Sequence, residues 1–389
     1  MNQPENLKSM PAPALLFLAA LLLTVYMWLF LHAESQPGVA VLLLAAGVVV
    51  ILSRRLGVAQ KVEQAAASRP GLTRGLAVAG AVVLIAAFHD SHFVLLMLCA
   101  VLLYSTACLG LTVQFGYSGV ANFAGAAFFG IGSYATAVLA THTAIPHLMV
   151  ILISGLIAAV IGSLLILPVL RTRGHYAALV TIAFGILFKT FIEVNDLLGG
   201  PQGLQVPGMK LFGVALNEGV KVPGVELSFY VAYALLSLAM FAGVYALVSA
   251  LERSWVGLSM DVVRTDETAA ATFGLHIARW KVVAFTMGNF FAGIAGSLYG
   301  MISGFVAPNN FTFADSLLML SIVILGGLGN IAGLIPATVI VLVLPEKLQF
   351  IQEYRFLLFA SVVIVILLFR PQGLLPRKTR LFFRREGAP

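Results

Sequence analysis

The chain has 389 residues, of which 60% are hydrophobic and 10% are charged, and its mean hydropathy is +1.00. A soluble domain carries about 25% charged residues, so this composition excludes an ordinary soluble protein. Continuous apolar runs, rather than alternating ones, argue against a β-barrel. The net charge of +7 comes from lysines and arginines in short loops and predicts no nucleic-acid partner. We therefore predict an all-α, polytopic helical protein of the lipid bilayer.

Apolar runs recur along the whole chain, and several are shorter than a bilayer crossing. We predict about 10–12 transmembrane segments, some of them broken or re-entrant. The runs lie at about 12–32, 38–53, 75–89, 92–113, 118–140, 147–170, 176–195, 228–250, 281–305, 316–328, 331–345 and 356–370.

Lysine and arginine are distributed unevenly among the connecting loops. They cluster at 54–74, 171–173, 253–281 and 377–385. Alternating spans from a cytoplasmic N-terminus place all these clusters on one side of the membrane. The positive-inside rule requires the same arrangement. Both termini are therefore predicted to be cytoplasmic, and residues 376–389 form a basic cytoplasmic tail.

Glycines at a spacing of four residues occur twice in the C-terminal half. Gly296, Gly300 and Gly304 would share one helix face, and Gly329 and Gly333 repeat the spacing. Small residues at this spacing are typical of helices whose backbones come into close contact in a membrane. We predict tight helix packing at both places.

The stretch from Gly116 to Ala140 has no charge and is long enough to cross a bilayer, which takes ~20 apolar residues. Glycines interrupt it, and each interior glycine costs a helix roughly 1 kcal/mol relative to alanine. The sequence GYSG at its start is typical of a turn, and unwound backbone at membrane depth is tolerated where it lines a cavity or is buried. We predict that Gly116–Gly119 is non-helical. Its role is either to line a substrate path or to pack against neighbouring helices.

Few side chains within the runs suggest chemistry. Lys189 and Glu193 share a helix face and can neutralise each other near the outer interface. His89 and His92 lie in an outward turn without a third ligand, so no metal site is predicted. No catalytic cluster and no phosphate-binding G-x-x-x-x-G-K-[ST] loop occurs in the chain, which argues against a membrane enzyme.

Two loops are longer than turns. The loop at 195–226 falls on the outer side and contains the turn-forming sequence GGPQG. The loop at 252–280 falls on the cytoplasmic side, and its stretch Ser259–Phe273 has an alanine-rich helical composition with Gly274 as the stop. A helix that spans nothing has a surface free for a partner.

Four blocks of the sequence resemble the permease subunits of branched-chain amino acid ABC importers, in particular the M-type subunit. The resemblance covers roughly residues 95–375, so residues 1–90 are interpreted as an N-terminal transmembrane extension and 91–375 as the permease core. The blocks are GLTVQFGYSGVANFAGAAFFGIGSYA from Gly110, RTRGHYAALVTIAFG from Arg171, LGGPQGL from Leu198, and the region from Arg264 to Pro345.

The resemblance implies an assembly in the bacterial inner membrane. A second permease subunit of the H type would complete the translocation path, two ATPase subunits would bind ATP and Mg²⁺, and a periplasmic binding protein would deliver substrate. This chain would then bind no cofactor itself, in agreement with the missing phosphate-binding loop.

ABC importer permeases carry an E-A-A-x-x-x-G signature in the cytoplasmic loop. Aligned on Gly274, this chain departs from the signature because its acid, Glu267, lies one position early. The loop nevertheless resembles the element that couples the permease to the ATPase. The residues assigned to it are Arg264, Asp266, Glu267, Ala269, Ala270 and Gly274.

The broken stretch and the outer turn are the predicted substrate path. We expect Tyr117, Ser118 and Asn122 to face the partner permease, with Gly119 leaving space for substrate. The outer turn contributes the rest of the predicted path: Gly199, Gly200, Gln202 and Gly203.

The resemblance implies uptake of branched-chain or related small amino acids. Ile186 stands where many relatives carry an acid, and relatives in the family also take up urea, short amides or aromatic acids. From a different class, a stand-alone secondary transporter or channel is the alternative. Such a carrier needs ionisable groups within the membrane, and this chain offers little beyond Lys189 and Glu193.

Overall fold

The computed structural model of the protein describes residues 11–33, 35–171, 175–211, 214–216, 221–222, 225–226, 228–348, 354, 357, 360–361, 364–365, 368 and 372–377. Most of the apolar run predicted at 356–370, and the basic tail after Arg377, lie outside the described residues.

The described residues are mainly helical, as the sequence predicts. The α-helices are α1 (Ala12–His32), α2 (Gln36–Arg55), α3 (Val58–Ser68), α4 (Pro70–Ala87), α5 (His92–Leu111), α6 (Gly125–His142), α7 (His147–Arg171), α8 (His175–Val194), α9 (Tyr230–Arg253), α10 (Trp255–Thr265), α11 (Glu267–Thr272), α12 (Ile277–Ser303), α13 (Phe313–Gly326), α14 (Leu334–Thr338) and α15 (Leu344–Lys347). Strands occur as three short antiparallel pairs: β1 (Leu204–Gln205) with β6 (Phe305–Val306), β2 (Lys210–Leu211) with β3 (Val214–Ala215), and β4 (Lys221–Val222) with β5 (Val225–Glu226).

Nine helices in the described part of the chain are long and apolar enough to cross a membrane. Helices α2 and α4 are unbroken over 20 and 18 residues. The prediction that some runs are broken is confirmed for the run at 331–345. This run consists of the short helix α14, a π-helical segment at 339–343 and α15.

The chain divides into two compact units. The first comprises residues 1–100, 216–242 and 343–355. In it, α1 packs on α4, and Gly80 lies where a Cβ would meet the Thr24 hydroxyl at 2.6 Å. Lys347 donates to the carbonyl of Leu31 at 2.6 Å and to that of Ala33 at 3.1 Å, so it occupies carbonyl groups at the C-terminal end of α1.

The second unit comprises residues 101–215, 243–342 and 356–389, and α12 is its central helix. Helices α6 and α7 both pack along α12 and on each other. A Cβ on Gly132 would overlap the carbonyl oxygen of Gly293, and a Cβ on Gly296 would overlap that of Phe129. Because the two backbones touch, this part of the α6–α12 interface has room for hydrogen atoms only.

The predicted glycine packing is therefore confirmed for Gly296. A Cβ on Gly300 would lie 3.5 Å from the Cα of Ser133, in ordinary van der Waals contact. Close backbone contact also holds at Gly333, where a Cβ would overlap the carbonyl oxygen of Gly326, and at Gly329, which lies against the Gly116 backbone. The predicted sharing of one helix face is wrong for three of the glycines. Gly304 has a φ of 67° and ends α12 as its left-handed cap, and Gly329 has a φ of 82° in the turn after α13. Gly333 ends a short 3₁₀ segment, so it shares no helix face with Gly329.

Candidate functional site

The chain unwinds between α5 and α6. The last turns of α5 continue as a π-helix over Thr112–Tyr117, residues 118–124 are irregular, and α6 begins only at Gly125. Gly119 has a φ of 74°, a backbone conformation that favours glycine. The prediction that Gly116–Gly119 is non-helical is thus confirmed for Ser118 and Gly119. It is wrong for Gly116 and Tyr117, which belong to the π-helix.

Three amide side chains hold the unwound segment in place. Asn122 donates from Nδ2 to Oε1 of Gln114 at 2.9 Å and to Oδ1 of Asn289 at 3.2 Å. Gln114 donates from Nε2 to the same Asn289 oxygen at 2.8 Å and to the carbonyl of Phe285 at 2.9 Å. Each of the three amides is at most 1% exposed. We call Gln114, Asn122 and Asn289 the amide cluster.

The amide cluster also organises the backbone around it. Oδ1 of Asn122 accepts from the amide of Ala124 at 2.9 Å, so the side chain closes the turn that precedes α6. The Gln114 carbonyl accepts from the Ser118 hydroxyl at 2.7 Å and from the Val120 amide at 2.9 Å. These bonds supply partners to backbone that a helix would otherwise satisfy, as an apolar environment requires.

Tyr117, Ser118 and Asn122 do not face a partner subunit. Their exposed fractions are 0%, 1% and 1%, because they lie inside the second unit of this chain. The expectation that they face the second permease is wrong: Ser118 and Asn122 find within the chain itself the hydrogen-bond partners that lipid cannot supply. Gly119 is exposed and lies against α10, where a Cβ would meet the Cγ of Arg264 at 3.2 Å. Contact of these residues with substrate stays a prediction.

The long loop between α9 and α12 forms two helices rather than the single predicted one. Asp266 has extended backbone angles, with a φ of −156°, and separates α10 from α11. Its carboxylate accepts from the amides of Thr268 at 2.8 Å and Ala269 at 3.0 Å, so it is the N-cap of α11. The composition predicts helix on both sides, and an aspartate at such a position is the signal that indicates the break.

Gly274 ends α11 as predicted. Its φ is 77°, its amide donates to the carbonyl of Ala271 at 3.0 Å, and the amide of Leu275 donates to that of Ala270 at 3.0 Å. This pair of bonds is the Schellman motif, which favours glycine at the left-handed position. The motif turns the chain into α12 at a defined angle.

The interior of this loop contains Ala270, which is 0% exposed. Ala270, which the sequence assigns to the coupling element, is therefore not on the exposed face of α11, and its role in coupling stays a prediction. Glu267 pairs with Lys281 at 2.6 Å and ties α11 to α12. Phe273, which sequence analysis did not single out, is 81% exposed beside the Schellman turn.

The outer turn has the predicted conformation. Gly199, Gly200 and Gly203 all have positive φ, at 81°, 52° and 76°, around two short 3₁₀ segments. Gln202 is exposed. Directly after Gly203, β1 pairs with β6, so the turn is joined to the segment that follows α12. A role of this turn in receiving substrate stays a prediction.

Ionisable and metal-binding groups add little to these sites. Lys189 and Glu193 form the predicted ion pair at 3.1 Å, and both side chains are about one-third exposed, at 32% and 34%. Ile186 is 53% exposed on α8. Among the residues that the structure describes, no three His, Cys, Asp or Glu side chains are grouped to hold a metal ion.

Comparison with known proteins identifies the family. Residues 93–369 match the family described as "Branched-chain amino acid transport system / permease component". The chain is 34% identical over 306 residues to the high-affinity branched-chain amino acid transport system permease protein LivM of Escherichia coli, covering 74% of this chain and 71% of the relative. It is 24% identical over 296 residues to the corresponding LivH protein of Salmonella typhimurium, covering 70% of this chain and 91% of the relative.

A third relative, the probable branched-chain amino acid transport permease protein LivM of Methanocaldococcus jannaschii, is 24% identical over 325 residues, covering 71% of this chain and 91% of the relative. No solved structure matches the chain. The matched residues contain the amide cluster, the α10–α11 loop and the outer turn. The chain therefore belongs to the family of branched-chain amino acid transport permeases and is most similar in type to the M-type subunits.

Proposed function

We propose that this chain is the M-type half of the permease in an ATP-driven importer of branched-chain amino acids, with an H-type permease as its other half. The proposal is supported by similarity to relatives of both types, with 34% identity to the LivM protein and 24% to the LivH protein named above. ATP and Mg²⁺ belong to two separate ATPase subunits, and a binding protein delivers substrate at the outer turn. The chain lies in the inner membrane with both termini in the cytoplasm.

The observation that carries the coupling part of this proposal is the exposure of Phe273. A phenylalanine that stays 81% exposed forgoes roughly 1.5–3 kcal/mol of burial free energy. The Schellman turn and the Asp266 cap fix the backbone on either side of it, so the direction in which the side chain leaves the helix is defined. A preformed apolar side chain on the cytoplasmic side fits a groove on the ATPase.

The rest of α11 suits the same role. Thr268, Ala271 and Thr272 are exposed, so small side chains form most of the outward face of this helix, beside the exposed Glu267. Small side chains let a helix backbone come close to a partner surface, and Phe273 supplies the anchor. The Glu267–Lys281 pair connects the docked helix to α12, and α12 carries Asn289 of the amide cluster.

A substrate that is neutral overall is supported by the uncharged side chains around Asn122. Around Asn122, the buried polar groups are the amide side chains of Gln114 and Asn289, the Ser118 hydroxyl and backbone groups, and the charged Arg377 lies at the other end of the segment, over Tyr117. Fixed charges would hold one end of a zwitterion tightly, whereas dipoles bind both ends weakly. Urea, short amides and aromatic acids are the competing substrates to be tested.

The coupling proposal is tested with Phe273→Asp in the complete complex. We expect co-purification of the ATPase subunits to fall by about tenfold or more, because a buried aromatic anchor contributes roughly 2 kcal/mol or more to an interface. The matched control is Leu197→Asp, which changes a 90% exposed side chain in the outer turn. ATPase binding at the wild-type level in Phe273→Asp would contradict this docking surface.

The substrate is tested by uptake into proteoliposomes that contain the whole complex, with labelled leucine, isoleucine, valine, urea, acetamide and benzoate. ATP-dependent uptake of the three amino acids is expected. Uptake of urea, amides or benzoate in preference to leucine would reassign the substrate. Uptake by this chain without ATP and without partners would instead indicate a secondary transporter or channel.

A further inference from the structure

Arg377 lies in the segment that follows the last apolar run and makes a two-pronged ion pair. Its Nη1 donates to Oδ1 of Asp261 at 2.6 Å, and its Nη2 donates to Oδ2 of the same carboxylate at 2.7 Å. The arginine side chain is 16% exposed and the aspartate 31%. Parallel bonds of this kind fix direction as well as distance. The pair therefore joins the C-terminal segment to α10 in a single orientation.

The same guanidinium lies over the point where α5 unwinds. Its Cζ is 4.4 Å from the centre of the Tyr117 ring, and its Nη1 is 3.5 Å from the Gly116 carbonyl. A Cβ on Gly329 would lie 2.7 Å from the Cδ of Arg377, so the turn after α13 encloses the stem of the side chain. A cation over a tyrosine face within about 6 Å is attracted to the ring. One side chain thus contacts α10, the π-helix and this turn.

The backbone on the N-terminal side of Arg377 is itself attached. The amide of Leu374 donates to the Leu325 carbonyl at 2.8 Å, and the side chain of Asn330 donates to the Leu375 carbonyl at 3.0 Å. Burial alone would lower the pKa of Arg377, but the hydrogen bonds and charge of Asp261 raise it above its ordinary value. The side chain of Arg377 is therefore fixed at its backbone end by these hydrogen bonds and at its charged end by Asp261.

A two-pronged, largely buried pair of this kind can stabilise the fold, but the elements that it joins point to a further role. Asp261 lies near the middle of α10, the helix that leads into the Asp266 cap and α11. Tyr117 is the last residue of the π-helix, five residues before Asn122 of the amide cluster. The guanidinium is the charged bridge between these two elements.

We propose that Arg377 is a positioning residue for energy coupling, which transmits movement of α10 and α11 to the unwound end of α5. This inference rests on the proposed docking of α11 to the ATPase. When the ATPase moves α11, the paired Asp261 moves with α10 and draws the guanidinium against Tyr117 and Gly116. The segment that contains Asn122 follows, because Ser118, the residue after Tyr117, donates to the Gln114 carbonyl, and the Gln114 side chain accepts from Asn122.

The test compares variants in the complete complex reconstituted with its ATPases and binding protein. The variants are Arg377→Ala, Arg377→Lys and Asp261→Asn, with the exposed Arg69→Ala as the control for loss of one positive charge. The measurements are ATPase co-purification, basal ATP hydrolysis, hydrolysis stimulated by substrate-loaded binding protein, and uptake. The ratio of stimulated to basal hydrolysis reports coupling, which a purely structural defect would not change selectively.

Arg377→Ala is expected to keep ATPase binding and basal hydrolysis while the stimulated-to-basal ratio falls by about fivefold or more, the lower end for coupled sites. Arg377→Lys keeps the charge but loses the planar fork, so its ratio should lie between those of Arg377→Ala and the wild type. Asp261→Asn should resemble Arg377→Ala, and Arg69→Ala should resemble the wild type.

A wild-type ratio in Arg377→Ala would overturn the inference, and so would an equal fall of basal and stimulated hydrolysis. If Arg377→Ala does not assemble, the stimulated-to-basal ratio of Arg377→Lys tests the inference in its place. Phe273→Asp separates the two proposals. If it loses ATPase binding while Arg377→Ala and Arg377→Lys remain fully coupled, the docking surface stands and the role of Arg377 falls.

Discussion

Asn122 donates from its Nδ2 atom to the Oε1 atom of Gln114 at 2.9 Å, across the segment in which α5 unwinds. The same Nδ2 reaches Asn289 on α12 at 3.2 Å. Three side chains from two places far apart in the sequence therefore define one irregular turn. The unwound backbone is stabilised from inside the chain, and it does not depend on a ligand or a second subunit for its hydrogen bonds.

Replacing Asn122 by leucine tests the amide cluster. The change keeps the branching of the side chain but removes the donor to Gln114 and Asn289, and a buried polar group left without its partner costs about 1–3 kcal/mol. We expect a lower thermal unfolding temperature of the purified complex. Asn309→Leu, at an exposed site after α12, is the control and should leave the unfolding temperature unchanged. Equal behaviour of the two variants would show that the cluster is not structural.

Replacing Gly296 by valine tests the contact between α6 and α12. A Cβ at this position would overlap the carbonyl of Phe129, and overpacking typically costs 1–3 kcal/mol or more. We expect a strongly reduced yield of folded chain in the membrane fraction. Gly243→Val is the control, because nothing lies within 4 Å of a Cβ at that position in α9. A normal yield of Gly296→Val would mean that the helices can separate without loss.

Replacing Asp266 by alanine tests the cap of α11. Loss of an N-cap costs about 0.5–2 kcal/mol, enough to unravel a helix of only 6 residues. We expect faster hydrogen exchange at the amides of Thr268 and Ala269, together with weaker ATPase binding. Asp266→Asn keeps an oxygen that accepts from the same amides, and it should retain both properties. Unchanged exchange in Asp266→Ala would indicate that packing alone holds α11.

Replacing Gly203 by alanine tests the outer turn. The φ of 76° and ψ of −170° at Gly203 cost a residue with a Cβ roughly 1–3 kcal/mol, and the Cβ would also overlap the Val306 carbonyl. We expect faster proteolytic cleavage of the loop that follows α8. The exposed neighbour Gln202, changed to alanine, should leave cleavage unchanged. If Gln202→Ala also lowers uptake at limiting binding protein, the turn receives substrate as proposed.

Local patterns in the sequence were sufficient for several features. Hydropathy predicts the membrane class, because a bilayer requires runs of apolar residues. Helical spacing predicts the Lys189–Glu193 pair, and the left-handed preference of glycine predicts the end of α11 at Gly274. Each of these features involves residues within one or two turns of each other, so sequence distance is a good measure of spatial distance.

The sequence was less informative wherever the relevant neighbour is distant in the chain. It indicates that Asn122 needs polar partners, but Asn289 is 167 residues away and only the packing of α12 brings it near. The inward position of Ala270 depends on the break at Asp266, which resets the phase of α11. In the sequence, Arg377 is one of several basic residues near the C-terminus. Only the fold brings it to Asp261, which lies 116 residues earlier.

The sequence by itself thus determined that this protein is a helical membrane permease, where its helices pack through glycine, and where α11 ends. The tertiary structure decided which polar residues are buried partners, which face of α11 is exposed, and which charge bridges α10 to the unwound end of α5. The physical reason is that transfer free energies and backbone preferences are properties of single residues and short segments. A buried hydrogen bond or ion pair is a property of two residues, and folding alone determines their distance.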